Sequence, residues 1–238
     1  SAQSDDPRNA LPDLYLRIVE ALKGHYIVEF VVLENVLGIR DRKHAVTYKE
    51  IIDRLSAIGF NVTEKELCAA DFGVPQNRRR ILLSGMRKRQ KYAAVKPRKR
   101  VGVSTVKEAI GHIRKQPVYF QHGLLPETFP VHPNHWTMQP RSRRFSNPNA
   151  LSSEGRSFKR LEWDSASPTI AFGNREIHVH PSGKRRISIY EAMLLQGFPS
   201  TFVLEGNLSE QVEQVSNAVP PPLARSVARA VRRSLRQP

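Results

Sequence analysis

One acid in this sequence stands where a carboxylate can do chemistry. Glu34 follows the apolar run Phe30-Val31-Val32-Leu33 and comes shortly before a glycine at position 38. Such a run is typical of a strand that is buried on both faces in a parallel sheet. Open α/β sheets bind ligands at the carboxyl ends of their strands, so we expect Glu34 to face a ligand. The alternative is that Glu34 only caps the turn that follows.

Helices and strands are predicted in alternation around this acid. They fall at residues 11–22 (helix), 30–36 (strand), 51–58 (helix), 61–67 (strand) and 80–86 (strand). Asn9 is the expected cap of the first helix, and Thr47 with Glu50 forms a capping-box pattern ahead of the second. The predicted fold class is α/β, with part of a doubly wound sheet.

The charge balance indicates a polyanionic partner. The chain has 38 Lys and Arg against 22 Asp and Glu, which gives a formal net charge of +16 and a pI near 10.5. Residues 87–115 alone hold 11 basic residues and one acid, Glu108. We interpret this segment as a linker lying on phosphates, followed by a short helix that Thr105 caps. The alternatives are a solvated basic linker and a generically basic soluble protein.

Residues 116–186 are rich in Pro, His, Asn and Ser and carry basic clusters. Loops of this composition can contact phosphates and base edges, and a short strand is expected over residues 177–180. The residues that we predict to contact DNA are Arg141, Arg143, Arg144, Arg156, Lys159, Arg160, Asn174 and Arg175. The pairs His132/His135 and His178/His180 lack matching cysteines or acids, so no metal site is predicted.

The end of the chain returns to regular structure. Ser188 and Glu191 form a capping box for a helix that runs to residue 195, and prolines at 220–222 lead into a final amphipathic helix.

No apolar run is long enough to span a bilayer, and no leader is recognised, so we expect a soluble protein of the bacterial cytoplasm, associated with the nucleoid. Cys68 is the single cysteine, so an internal disulfide is excluded. We expect Cys68 to be a small buried thiol.

Four motifs resemble those of the DNA (cytosine-5) methyltransferase family. Residues 33–36 (Leu-Glu-Asn-Val) are similar to its Glu-Asn-Val motif, and residues 71–80 to its Gln-x-Arg-x-Arg motif. Residues 186–199 resemble the ninth motif and residues 216–220 the tenth, with Ser216 where Gly is usual. The four occur in the family's order over nearly the whole chain, with a variable basic region between the second and the third.

The resemblance implies a Rossmann-like methyltransferase sheet and roles for particular residues. Glu34 would supply the acid at the cytosine ring, and Arg80 together with Arg78 would steady a base flipped out of duplex DNA. An internal ion pair between Glu34 and an arginine is the structural alternative, and it is compatible with the catalytic role. The cofactor implied is S-adenosylmethionine, and the residues expected beside its pocket are Asn217, Ala218 and Val219.

Two family features are not found in this sequence, namely the Pro-Cys loop with the nucleophilic cysteine and the glycine-rich cofactor motif. Cys68 is not preceded by proline. We therefore expect the carboxyl-terminal portion of a methyltransferase, either a subunit of a split enzyme or a fragment, which is inactive alone. A complementary chain would then carry the missing motifs and most of the cofactor pocket.

The expected domains are residues 1–100 (half of the catalytic layer), 101–186 (target recognition with a connecting helix) and 187–238 (helices returning to the catalytic domain). An incomplete sheet would leave the strand of Glu34 with an unpaired apolar edge, which also favours association with a complementary chain. The competing hypothesis is a non-catalytic DNA-binding or regulatory relative. Its signature would be DNA binding by this chain alone, with no effect of Glu34→Ala in any mixture.

Overall fold

The computed structural model describes residues 10–87, 102, 104–147, 151, 158–170 and 178–236. The chain divides into two compact units. Unit 1 comprises residues 1–67, 79–96 and 227–238, and unit 2 comprises residues 68–78 and 97–226. The domain boundaries that we predict at residues 100 and 186 stay a prediction.

The regular elements alternate in the first third of the chain and become short in the middle. The helices are α1 (Leu11–His25), α2 (Ala45–Ala57), α3 (Val106–Ile110), α4 (Ile189–Leu195), α5 (Leu208–Asn217) and α6 (Pro221–Leu235). The strands are β1 (Phe30–Asn35), β2 (Phe60–Cys68), β3 (Gln76–Asn77), β4 (Arg79–Arg87), β5 (Val118–Tyr119), β6 (Trp136–Thr137), β7 (Lys159–Arg160), β8 (Ser167–Pro168) and β9 (His178–Val179).

Unit 1 packs two helices on a three-stranded sheet. Helix α1 buries Leu16 and Val19, and α2 buries Ile51 and Leu55, at the spacing that puts side chains on one face of a helix. They form one apolar cluster with strand residues, of which Phe60 is 1% exposed. The predicted helices and strands of this unit are all present, including β2, whose alternation in the sequence is weak.

The sheet of unit 1 has the strand order β1-β4-β2. Strand β1 runs antiparallel to β4, in a register that pairs Glu34 with Leu82. The apolar run had indicated that β1 lies in a parallel sheet and is buried on both faces. Its neighbour β4 is antiparallel instead, and within β1 only Val31 is buried. The described strands cover only one edge of β1, so its other edge has no partner among them.

Two helix caps in unit 1 differ from the predictions. Helix α2 begins at Ala45, ahead of Thr47, so the predicted capping box of Thr47 and Glu50 is wrong. Its first turn follows a 3-10 turn at Arg42–His44, and the cap residue His44 makes no side-chain capping hydrogen bond. Asn9, the predicted cap of α1, lies outside the described residues, as do residues 88–100 of the basic linker.

Unit 2 is built from two-residue strands and short helices around an apolar cluster. The strand pairs β3–β8, β5–β6 and β7–β9 are all parallel. Helices α3 and α4 begin with the predicted capping boxes, at Thr105 and Ser188. Such short elements agree with a loop-rich domain, and the described part of the predicted strand at 177–180 is β9.

Helix α5 was not predicted from the sequence, and it begins with a third capping box. The side chain of Asn207 accepts hydrogen bonds from the amides of Ser209 and Glu210, and the Glu210 carboxylate accepts from the Asn207 amide.

The final helix α6 is present as predicted. It buries Leu223, Val227 and Ala230, and it exposes Arg225, Arg229, Arg232 and Arg233. Among the described helices, none has the length and apolar character needed to cross a membrane.

Close packing at Gly85 gives a first testable prediction. A Cβ atom added at this position of β4 would lie 2.6 Å from Cγ2 of Val31 and 3.1 Å from Cβ of Phe60. Gly85→Ala should therefore lower the free energy of unfolding by about 1–3 kcal/mol, because strands β1 and β2 must shift to admit one methyl group. Urea denaturation monitored by circular dichroism measures this change.

Gly24→Ala is the matched control, since no atom lies within 4 Å of the added Cβ near the end of α1. This variant should leave the stability unchanged or raise it by up to about 1 kcal/mol, because Ala favours a helix over Gly. Equal destabilisation by both substitutions would contradict the packing of Gly85.

Candidate functional site

Glu34 and Arg80 meet at one end of the sheet of unit 1. Glu34 lies near the carboxyl end of β1, and Arg80 lies near the start of the antiparallel strand β4. The Nε atom of Arg80 is 2.9 Å from Oε1 of Glu34. A further nitrogen of Arg80 donates to the main-chain carbonyl of Arg79 at 2.8 Å. The ion pair that the sequence offered as a structural alternative is therefore present.

The pair is only partly shielded from water. The side chain of Arg80 is 11% exposed and that of Glu34 is 25% exposed. Burial lowers the pKa of Arg80 below its ordinary value, while the adjacent carboxylate of Glu34 acts in the opposite direction. An arginine keeps its proton at neutral pH even so, because its ordinary pKa lies so far above neutrality. The site therefore presents a fixed acceptor beside a fixed cation, a combination that suits a ring with both donors and acceptors on its edge.

Arg78 lies in unit 2 and has different partners. Its side chain is inside the unit, and the residue is 2% exposed. One terminal nitrogen donates to the main-chain carbonyl of Ser216 at 2.6 Å, and the other lies 3.4 Å from that of Ile170. Three residues were predicted to be catalytic. Of these, Glu34 and Arg80 contact each other, whereas Arg78 contacts the last turn of α5.

The residues predicted beside the cofactor form the exit from α5. Asn217 is the last residue of the helix and is exposed, whereas Ala218 and Val219 are half-buried. Ala218 has extended dihedral angles, φ −67° and ψ 141°. An exposed amide next to two small apolar side chains can contact both the polar and the apolar parts of a nucleoside. Their place beside an S-adenosylmethionine pocket stays a prediction from the sequence.

The predicted DNA-contacting residues are in several environments. Arg141 and Arg143 are exposed, and the guanidinium of Arg144 lies 5.8 Å from the ring centre of Phe158. Arg160 donates through Nε to the main-chain carbonyl of Pro181 at 2.9 Å. The half-buried Lys159 precedes Arg160 in β7. The remaining predicted contacts lie outside the described residues, at Arg156, Asn174 and Arg175.

The first histidine pair belongs to the core of unit 2. One ring nitrogen of His135 lies 2.9 Å from the hydroxyl of Ser188, and the other lies 3.1 Å from the main-chain carbonyl of Lys115. His132 stacks on Tyr190 with 4.1 Å between ring centres. Within the described part of the chain, no cluster of three or more His, Cys, Asp or Glu could hold a metal ion. These histidines therefore have a structural explanation in ring packing and hydrogen bonding.

Sequence reasoning missed a buried ion pair in the same unit. Glu191 is 0% exposed, and its two carboxylate oxygens accept hydrogen bonds from Arg185 at 2.7 and 2.8 Å. Burial by itself would raise the pKa of Glu191, but the bonds and charge of Arg185 hold that pKa below its usual value. Nε2 of His180 lies 3.9 Å from the same carboxylate. A turn brings Arg185 and Glu191 together. The place of Glu191 in the ninth motif was the one signal in the sequence that could have indicated this ion pair.

Comparison with solved structures places the fold in a class. The chain matches the crystal structure of an Escherichia coli protein described as a prophage-encoded DNA modification methyltransferase, with a TM-score of 0.77 over 98% of this chain and 76% of that chain. The identity is 21%, so the likeness shows the fold alone. The fold is thus a mixed α/β fold like that of this methyltransferase structure, and the predicted fold class is confirmed.

The family follows from the sequence comparison. The chain belongs to the C-5 cytosine-specific DNA methylase family, whose sequence profile matches residues 1–233. It is 32% identical to the Type II methyltransferase M.NmeDI of Neisseria meningitidis serogroup C, over 84% of this chain and 53% of the relative. It is 31% identical to M.MthTI of Methanothermobacter thermautotrophicus, over 98% of this chain and 73% of the relative. The chain thus spans about half to three quarters of the length of these relatives.

His180 of unit 2, whose side chain is 12% exposed, predicts how stability depends on pH. Burial is the main cause that lowers the pKa of His180, to about 4, and Glu191 opposes it. An unfolded histidine gains its proton near pH 6.5. Between pH 6.5 and about 4 the unfolded state therefore binds one more proton, and stability falls as the pH falls through this window. The loss from His180 between pH 7 and 4.5 should be about 2–3 kcal/mol.

Urea denaturation at several pH values, with His180→Gln beside the parent chain, tests this expectation. The variant should lose less stability on acidification, since it has no imidazole to protonate when unfolded. His112→Gln, at an exposed position, should follow the parent chain. An unchanged pH profile in His180→Gln would contradict a His180 that stays neutral in the folded chain.

Proposed function

We propose that this chain forms the base-binding and DNA-recognising part of a DNA cytosine-5 methyltransferase of the restriction-modification type. The observation that carries the proposal is the ion pair of Glu34 and Arg80, 2.9 Å apart and partly accessible, formed by two residues of the family's motifs. The two groups lie at one end of the sheet, where α/β folds bind their ligands. Family membership over residues 1–233 supports the reaction class.

The chemistry assigns complementary tasks to the two residues. Carbon 5 of cytosine becomes nucleophilic when a thiolate adds to carbon 6, and electron density then moves to the ring nitrogen N3. One oxygen of the Glu34 carboxyl group takes up a proton from solvent and delivers it to N3, and the other oxygen accepts a hydrogen bond from the exocyclic amine. The guanidinium of Arg80 orients this carboxyl group and donates to the ring carbonyl oxygen. S-adenosylmethionine would supply the methyl group when bound, and loss of the proton on carbon 5 with release of the thiolate from carbon 6 would restore the ring.

The nucleophile and most of the cofactor pocket come, in this proposal, from a segment outside the 238 residues. That segment belongs either to the same polypeptide or to a separate chain. Cys68 is half-buried at the end of β2 and does not follow a proline, which supports a nucleophile from elsewhere. The target base is swung out of duplex DNA, and the exposed Arg141 and Arg143 contact the phosphates around it.

The test is reconstitution of methyl transfer. Mixing this chain with a chain that carries the Pro-Cys loop and the glycine-rich motif should transfer a radiolabelled methyl group from S-adenosylmethionine to duplex DNA. Glu34→Gln keeps the shape but cannot deliver the proton, so the rate should fall by about 100-fold or more. Glu64→Gln removes an acid of another arginine pair in unit 1, on β2, and should stay within about twofold of the parent rate.

Two outcomes would count against the proposal. One is the absence of methylation in a mixture in which both chains are folded and associated. The other is equal activity of the parent chain and Glu34→Gln. Sequence-selective DNA binding by this chain alone, combined with either result, would favour the non-catalytic relative.

A surface of unit 1 supports the existence of the complementary segment. Helix α1 buries one apolar stripe and exposes a second, whose members are 41–55% exposed and recur every three or four residues: Leu11, Leu14, Ile18 and Leu22. A helix of a soluble unit normally has one apolar stripe. Strand β1 in addition has an edge without a partner among the described strands. We propose that the complementary segment covers both features.

Substitutions on this stripe give a binding prediction. Leu14→Ser combined with Ile18→Ser should weaken association with the complementary chain by about tenfold or more, because each change removes apolar area from the interface. Val46 is 71% exposed on α2, and Val46→Ser is the control that should leave the dissociation constant unchanged. Sedimentation velocity measures the association. Equal affinities in all variants would exclude this stripe as the interface.

A further inference from the structure

The end of α5 is held by side chains from two distant parts of the sequence. Arg78, which is 2% exposed, donates to the carbonyl of Ser216 at 2.6 Å. Gln196, at the end of α4 and 0% exposed, donates through Nε2 to the carbonyls of Val215 at 3.0 Å and Ala218 at 2.8 Å. Three main-chain carbonyls within four residues are thus bonded by two buried side chains.

These bonds are made where a helix needs them. The last carbonyls of an α-helix have no partner within the helix, and a cation near them is favoured by the helix dipole. The last helical bond runs from the Ala218 amide to the Gln214 carbonyl at 3.0 Å, and the chain is extended from there. Arg78 and Gln196 therefore fix the point at which helix changes to extended chain.

We infer that Arg78 and Gln196 form a clamp that positions residues 216–219 for the cofactor, and that Arg78 acts through the Ser216 carbonyl. This inference rests on the proposed function for the identity of the cofactor. It gives the two arginines of one motif different tasks. Arg80 is paired with Glu34 in unit 1, whereas the guanidinium of Arg78 is enclosed in unit 2 and spans Ser216 and Ile170.

Arginine suits this position better than lysine does. Its planar group presents donors in a fixed fork, so one side chain can reach carbonyls of two separate segments. A lysine ammonium is a compact charge and would keep one of these contacts at most. Gln196 contributes the same kind of bond without a charge, since one amide nitrogen serves two carbonyls. The clamp should therefore loosen in Arg78→Lys and in the isosteric variant Gln196→Met.

The first test uses this chain alone and measures hydrogen exchange at the Ala218 amide. Exchange should accelerate by about tenfold or more in Arg78→Lys and in Gln196→Met, because the last turn of α5 opens more often. It should stay unchanged in Arg80→Lys, the matched control. Exchange of the Ala192 amide in α4, which donates to the Ser188 carbonyl at 2.9 Å, reports whether unit 2 remains folded. Gln196→Met removes no charge and keeps the test decisive if Arg78→Lys fails to fold.

The second test uses the reconstituted enzyme and separates binding from chemistry. Arg78→Lys and Gln196→Met should raise KM for S-adenosylmethionine by about tenfold and leave kcat within about threefold. Arg80→Lys should lower kcat and leave this KM unchanged. A merely structural role of Arg78 would not produce this division.

The outcomes distinguish the clamp from the proposed function. Unchanged exchange at Ala218 in both Arg78→Lys and Gln196→Met would overturn the clamp. Faster exchange without any change in KM would overturn its role towards the cofactor. Failure of every mixture to methylate DNA would instead remove the function proposed above, and the exchange result would still decide whether the clamp exists.

Discussion

A carboxylate that water cannot reach must be neutralised by its immediate neighbours, and Glu191 of unit 2 is in this position. Both of its oxygens accept from Arg185, and one also accepts from the Ser188 amide. The Ser188 hydroxyl in turn caps α4 and lies against His135. Removal of one partner from such a pair typically costs about 3–5 kcal/mol, because the other charge is left buried. The start of α4 is therefore fixed, and with it Gln196 at the other end of that short helix.

The pair in unit 1 joins the same two types of group under different conditions. Glu34 and Arg80 remain partly accessible, whereas Glu191 and Arg185 are enclosed. A fully enclosed pair has satisfied its hydrogen bonds within the protein and cannot exchange them for bonds to a ligand. A partly accessible pair can do so at lower cost, because its desolvation is incomplete. Under the proposed function, this difference in burial separates an ion pair that stabilises a unit from one that binds a base.

The sequence predicted the helices and strands whose apolar side chains recur at regular spacing. It did not predict features that depend on contacts between residues far apart in the chain. Helix α1 and strand β4 carry long periodic or apolar runs, so both were predicted close to their observed bounds. Helix α5 was missed because its cap, Asn207, follows a turn and looks like loop sequence. The motifs indicated that Glu34 and Arg80 belong together. They could not indicate that Arg78 faces Ser216, a contact that spans 138 positions of the chain.

The exposed arginines of α6 affect the stability of that helix. Arg225, Arg229 and Arg232 are three or four residues apart, and no acid occurs between residues 221 and 236. Like charges at this spacing destabilise an isolated helix by a few tenths of a kcal/mol per pair. Helix α6 is thus stabilised mainly by its buried side, which holds Leu223, Val227 and Ala230. Added salt should screen this repulsion and strengthen α6, whereas it weakens exposed ion pairs such as that of Arg54 with Asp13.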